Sequence, residues 1–332
     1  MLSAKMIAYY IIGFGAFMLF FLLPIRKLEW LIPSIYWVNI ILLLSVEFVG
    51  VSKLGAQRWI EIPFINFTIQ PSEIMKPAFV LMLAYLIKKT PPDEEGYNLK
   101  QFLKLSMYIL LPFILILKEP DLGTALMLLI TGYGVLFIVG VNRKIWISIA
   151  LLIGISSPIL YENLHDYQKK RIADFISEKP SYQVRQSIIA IGNGGITGKS
   201  IDEATQTKFK FLPIATSDFI FAYTVERYGF IGGAGLIMLY GFLIMHLLSL
   251  NYKLKDEYFI KAAVSAVALL IFIYVSVNIF MTIGFAPVVG IPLPFYSYGG
   301  SSFITFMCLF GILQNLLTFR FDKTNRFVKI NF

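Results

Sequence analysis

The chain reads as an all-α, polytopic membrane protein with about nine spanning helices of roughly 20 residues each. Three observations predict this. Hydrophobic residues make up 57% of the 332 positions, and the mean hydropathy is +0.72. The apolar residues are gathered in long blocks, and the basic residues fall in the short connections between them.

The blocks lie at 7–24, 31–50, 73–87, 102–117, 121–140, 145–161, 220–249, 260–284 and 302–319. The first has no small-x-small cleavage site and is followed by Arg26 and Lys27, which marks a spanning helix, not a removable leader. The block at 73–87 is short and carries Glu73 and Lys76, so its charges need an explanation. Arg26 and Lys27, the run 88–104, Arg143 and Lys144, the run 253–261 and the tail 320–329 occupy alternate connections. Positive charge stays on the cytoplasmic side, so these connections face inward, and the protein is a multi-pass component of the cytoplasmic (inner) membrane. The first helix then runs from outside to inside, and the C-terminus is cytoplasmic.

The same reasoning puts 162–218 and "FAPVVGIPLPFYSYGGS" outside. One membrane domain, 1–332, therefore carries a single large extracytoplasmic loop at 162–218. That loop is too long for a simple turn, and its aromatic and aliphatic content lets it fold against the membrane domain as a lid or catalytic loop. "KKTPPDEEGYNLK" is a solvated cytoplasmic connection.

Several function classes are disfavoured. The formal charge of +9 is distributed over loops and forms no basic face, which argues against nucleic acid as a partner. Two histidines and one cysteine do not assemble a zinc site of the usual ligand types, and Cys308 has no partner for an intrachain disulfide. "GNGGITGKS" lacks the P-loop glycine five residues before Gly198, where Asn193 stands, and reads as a flexible glycine turn. No inverted repeat of the transporter kind is evident.

Four stretches hold candidate functional residues. Asp218 stands where the long loop becomes a helix, a position that helix capping explains as readily as chemistry. Glu226 lies about two turns further on, with Arg227 beside it to neutralise it. Glu73 and Lys76 are three apart on one helix face, as a functional pair or as an ion pair locking two helices. In "KEPDLGTA", Pro120 begins a helix, Asp121 favours its positive end, and Lys118 is a cation suited to a lipid diphosphate. The uncharged "FAPVVGIPLPFYSYGGSS", with Ser297, Ser301 and Ser302, has the rigidity of a re-entrant segment lining a cavity.

Taken in order, "GAQRWI", "QPSEIMKPA", "PDLGTA", "YQVRQSIIAIGNGGITGKS", "FLP" with "DFIFA", "GFIGG" and "PVVGIPLPFYSYGGSS" resemble the SEDS family, the RodA, FtsW and SpoVE group of peptidoglycan-polymerising membrane proteins. The resemblance covers nearly the whole chain and is closer to the elongation branch than to the division branch. It implies a glycosyltransferase that joins lipid II units at the outer face during elongation and cell-shape maintenance. It implies Asp218 as the catalytic residue, and Trp59, Glu73 and Lys76 as positions the family needs. It also implies a class B penicillin-binding protein and other elongation-complex membrane proteins as partners. The family has one more helix at its N-terminus, so an upstream start is expected. Three departures stand out: Thr216 and Ser217 replace a His-Thr pair, Arg227 replaces a second glutamate, and Glu119 replaces a glutamine.

The expected chemistry is inverting transfer, in which Asp218 deprotonates the acceptor GlcNAc 4-hydroxyl and a lipid diphosphate departs. Arg58, Lys118, Arg171 and Arg185 are candidate cations for that diphosphate. Trp59, Glu73, Lys76, Glu226, Ser297 and Ser301 complete the candidate set for substrate binding or activation. No cofactor is required, although a divalent cation bridging diphosphate and carboxylate is compatible. A lipid II flippase and a non-enzymatic scaffold for a penicillin-binding protein are the rival expectations.

Overall fold

A computed structural model describes residues 4–53, 56–62, 67–162, 164, 166–177, 180–254 and 257–319. The basic tail at 320–329 lies outside them. The described elements are α1 (Ala4–Leu22), α2 (Ile32–Val49), β1 (Val51–Lys53), β2 (Ala56–Ile62), β3 (Phe67–Ile69), α3 (Pro71–Lys89), α4 (Leu99–Lys118), α5 (Leu122–Val139), α6 (Arg143–Glu162), α7 (Asp166–Ile176), α8 (Tyr182–Gly194), α9 (Thr205–Lys208), α10 (Ile220–Lys253), α11 (Tyr258–Thr282) and α12 (Gly300–Thr318). Among the described residues, six helical stretches are long and apolar enough to cross a membrane: Glu29–Val49, α4, α5, α10, α11 and α12. The other three expected spans fall on α1, α3 and α6.

The bundle is organised around α11, which is apolar on every side and packs against α3, α5, α10 and α12. Its small residues Ala263, Ser265, Ala266 and Ala268 are all buried and let neighbouring backbones approach closely. α1 lies along α12, α2 along α3, α4 along α5, and α8 covers α10. Large apolar side chains such as Phe48, Phe137, Leu239 and Phe242 point away from the bundle. In a bilayer that surface faces lipid, where such residues are stable.

Charge is tied down at both ends. At one, Arg26 pairs with Glu257 at 3.5 Å, Lys88 bonds Glu29, and the Tyr97 hydroxyl donates to the Thr90 carbonyl at 2.7 Å. At the other end gather the strands β1 to β3, the corner 119–121, the segment 162–219 and the irregular stretch 283–299. The strands form a small antiparallel sheet in the order β1-β2-β3, an addition to the all-helical expectation.

α10 is not one continuous helix, as the apolar run suggested, but breaks at Gly229, whose φ is +67°. The glycine-rich "GNGGITGKS" fills the break. Lys199 N donates to the Glu226 carbonyl at 2.9 Å, while Phe230 N and Ile231 N donate to the Gly195 and Ile196 carbonyls at 2.8 and 3.2 Å. The backbones are so close that a Cβ on Gly198 or Gly229 would enter the facing main chain. The glycines therefore serve close approach, in contrast to the flexible turn expected from sequence.

Glu226 reinforces this splice. Fully buried, it accepts from Asn193 Nδ2 at 3.1 Å and from Gln206 N and Thr207 N at 3.0 Å each, and from the Thr207 hydroxyl. It thereby joins α8, α9 and α10. Arg227, expected to neutralise it, instead donates to the Lys199 carbonyl at 2.8 Å. Donated hydrogen bonds hold this carboxylate.

Candidate active site

Asp218 sits one residue before the Phe219 that caps α10, and no side-chain cap bond is made there. Capping therefore does not account for its carboxylate. Among the described residues that carboxylate accepts one hydrogen bond, from Ser217 Oγ to Oδ1 at 2.8 Å. Its Oδ2 faces Gly290, where a Cβ would approach to 3.3 Å. Burial raises its pKa above the ordinary aspartate value, and the Ser217 bond opposes that shift.

The backbone beneath the acid is gripped at three successive carbonyls. Tyr298 N donates to Thr216 O at 2.9 Å, Ser297 Oγ to Ser217 O at 2.6 Å, and Asn278 Nδ2 to Asp218 O at 2.8 Å. Ser297 Oγ also accepts from Leu293 N at 2.8 Å, so its hydroxyl works inside the fold. Asn278 donates its second hydrogen to Ile291 O at 2.6 Å. The stretch 291–298 is thus a cradle for the turn that carries Asp218.

A cleft of about 240 Å³ lies beside this cradle. Arg171, Asp174, Ser181 and Gln183 line it together with Phe175 and Val288. Val288 also packs on the small cluster that contains Phe219 and Ala222, so the cleft and the Asp218 turn share a wall. Apolar walls with a few convergent polar groups are the usual make-up of a small-molecule site.

A second polar cluster stands at the corner between α4 and α5. Arg58 reaches it from β2, donating from Nε to Glu119 O at 3.1 Å and from Nη2 to Pro120 O, with Nη1 3.8 Å from Asp121 Oδ1. Gln70 donates to Asp121 Oδ2 at 3.1 Å, and Asp121 caps α5 by accepting from Thr124 N at 3.2 Å. The helix starts at Leu122, so Asp121 is its cap and Pro120 precedes it. In α3, Lys76 Nζ lies 2.5 Å from Glu73 Oε1 and 5.1 Å from the centre of the Tyr274 ring. Gly123 places the start of α5 against Val289 O and Ile291, so this cluster and the Asp218 cradle press on the two sides of 289–291.

The remaining candidates are spread out. Trp59 is half-buried in β2, opposite Val51. Lys118 is 3.6 Å from Glu47 and mostly exposed. Arg171 lines the cleft, whereas Arg185 and Ser301 are exposed on α8 and α12. Sequence reasoning missed Asn278, although a lone amide inside an apolar helix is a signal worth reading. Among the described residues, no group of three or more His, Cys, Asp or Glu forms a metal cluster.

Glu119 gives a pH test of the corner. Its side chain is 3% exposed, with both carboxylate oxygens unpartnered among the described residues. Burial first, then Asp121, pushes its pKa up from 4.5 to about 8 against the pull of Arg58. Because the folded value exceeds the unfolded one, its contribution is fully present below the unfolded value and lost as pH rises through about 8. At pH 7 the cost is roughly 3 kcal/mol at about 1.4 kcal/mol per unit. Glu119→Gln should therefore raise the melting temperature in detergent at pH 7 to 8 and flatten its decline with pH; an unchanged pH profile would contradict this assignment.

Comparison with known proteins gives a consistent picture. The family model for FtsW, RodA and SpoVE, described as cell cycle proteins, matches residues 1–321. The peptidoglycan glycosyltransferase MrdB of Helicobacter pylori is 59% identical over 320 residues, covering 96% of this chain and 84% of that protein. MrdB of Escherichia coli is 37% identical over 306 residues, covering 90% and 80% respectively. Among solved structures, a chain from a peptidoglycan synthase complex that coordinates polymerization and crosslinking superposes with a TM-score of 0.80 at 25% identity, covering 95% of this chain and 88% of that one.

Proposed function

The chain belongs to the FtsW, RodA and SpoVE family, and from that premise we propose that it is a peptidoglycan glycosyltransferase that polymerises lipid II at the outer face of the cytoplasmic membrane during elongation. The observation that carries the chemical part is Asp218: a partly desolvated carboxylate with one hydrogen bond, on a turn gripped at three carbonyls.

In the proposed step Asp218 takes the proton of the acceptor sugar's 4-hydroxyl. The oxygen attacks the anomeric carbon of the growing chain, a new C–O bond forms with inversion, and the bond to the lipid diphosphate breaks. The diphosphate leaves with that bonding pair, so the substrate itself supplies the driving force and no nucleotide is consumed. A positioned base of this kind contributes about 10²- to 10⁴-fold. Arg171 lines the shared-wall cleft and is the candidate cation placed nearest the Asp218 turn for a substrate group. A divalent cation, if held beside Asp218, would supply charge neutralisation for the departing diphosphate.

A crosslinking partner follows from the same reading. The similar synthase complex combines polymerization with crosslinking, and the chemistry derived for Asp218 makes only glycan bonds. A class B penicillin-binding protein is the proposed source of the crosslinking activity, with other elongation-complex membrane proteins around the pair.

The deciding experiment gives purified protein lipid II, with and without its cognate penicillin-binding protein and with magnesium or a chelator, and resolves the glycan products on a gel. Glycan chains support the polymerase; no chains in any condition would refute it. Lipid II crossing a vesicle bilayer without polymer would favour a flippase.

Ser217 supplies a finer test. Its hydrogen bond lowers the pKa of Asp218, and the base works only when ionised. Activity should fall with decreasing pH along a limb set by Asp218, and Ser217→Ala should move that limb to higher pH. A limb in the same place, measured as kcat/KM against pH, would mean another group governs it.

A further inference from the structure

Asn278 lies fully buried within α11, 60 residues from Asp218 in sequence. Its amide nitrogen has two hydrogens and spends both on backbone carbonyls: Asp218 O at 2.8 Å and Ile291 O at 2.6 Å. Two facing acceptors fix which end of the amide is nitrogen. Among the described residues, its own carbonyl oxygen is buried without a partner. A leucine would fill that space without an orphaned acceptor, so packing does not explain the amide, whereas its two donor bonds do.

Those bonds join the two walls of the site. One holds the backbone from which Asp218 projects. The other holds Ile291, next to the Gly290 that faces the Asp218 carboxylate. Tyr298 and Ser297 grip the turn from the loop itself, but Asn278 grips it from the central helix of the bundle. We infer that Asn278 is a positioning residue for Asp218, setting the distance between the base and the 289–291 wall from a fixed point in the membrane helices. The inference rests on the assignment of Asp218 as general base.

Three variants test it. Asn278→Leu keeps the volume and removes the donors. Asn278→Asp keeps the shape and turns an acceptor toward both carbonyls. Gly290→Ala brings a Cβ to 3.3 Å from the Asp218 carboxylate and strains a backbone whose φ is +73°, perturbing the opposite wall while leaving the Asn278 amide in place. Displacement of about 1 Å at a reacting group costs up to about 10²-fold. Lipid II polymerisation should accordingly lose turnover on that scale, with KM held to within roughly threefold and the acid limb of the pH profile displaced.

Carbodiimide labelling of Asp218, followed by mass spectrometry across pH, reads the same carboxylate without turnover. Its rate and pH midpoint should change in Asn278→Leu. Wild-type turnover with wild-type labelling in that variant would overturn the inference. If Asn278→Leu fails to fold, Asn278→Asp decides, and wild-type turnover with wild-type labelling there overturns it. If wild-type protein makes no polymer, the functional reading fails on its own, and unchanged labelling in the variants would separately sink the role of Asn278.

Discussion

Asp218→Asn should reduce lipid II polymerisation by about 10²- to 10⁴-fold and leave the melting temperature of the detergent-solubilised protein close to that of the wild type. The amide has the same shape and still offers an oxygen to Ser217 Oγ, the one hydrogen-bond partner of the carboxylate. All three grips on the turn fall on main-chain carbonyls, which the substitution leaves in place. The ability to accept a proton is what disappears. Initial rates of glycan synthesis, measured beside thermal unfolding, make the comparison. A variant that polymerises at the wild-type rate would remove Asp218 from the chemistry, and one that loses rate only in step with its fold would make it structural.

Breaking the pair in α3 should have the largest effect on stability. Lys76 is 1% exposed and Glu73 13% exposed, with Glu73 Oε2 buried and unpartnered among the described residues, so breaking the pair would leave Lys76 with only the Tyr274 hydroxyl and Glu73 without its cation. Lys76→Met or Glu73→Gln should each cost about 3 to 5 kcal/mol, whereas the double variant should recover most of that loss, because a buried pair is often replaceable as a unit. Denaturation midpoints of all four proteins form the cycle. If the double variant regains stability and activity together, the pair is a structural lock; regained stability without polymerisation assigns it a part in the reaction. Single variants that unfold like the wild type would contradict the burial on which this rests.

Much of the architecture was readable because it depends on local composition. Apolar length announces a spanning helix wherever it occurs, and Arg26, Lys88 and Lys144 mark connections without knowledge of their neighbours. Asp218 was singled out as a candidate through the motifs around it. What stayed hidden depends on pairs distant in sequence. Nothing near Asn278 tells that its amide reaches residue 218, and nothing near Glu226 tells that Gln206 and Thr207 donate to it. The adjacent Arg227 suggested a charge pair, and the backbone satisfied the acid instead. Arg58 looked like a free cation because its acceptors, the carbonyls of residues 119 and 120, carry no side-chain signature.

The break in α10 sets a rule of length for the loop that fills it. Residues 195 and 196 accept from residues 230 and 231 on the far side of the break, and residue 199 donates to residue 226 on the near side. One residue inserted or deleted between Ile196 and Lys199 would break the match between the contacts on the two sides of the break and move Gly198 from the place where a Cβ would strike the Arg227 carbonyl. A graft or insertion meant to reshape the loop has to spare this stretch, as well as residues 206, 207 and 216–218, whose backbones are bonded to Glu226 and to the cradle.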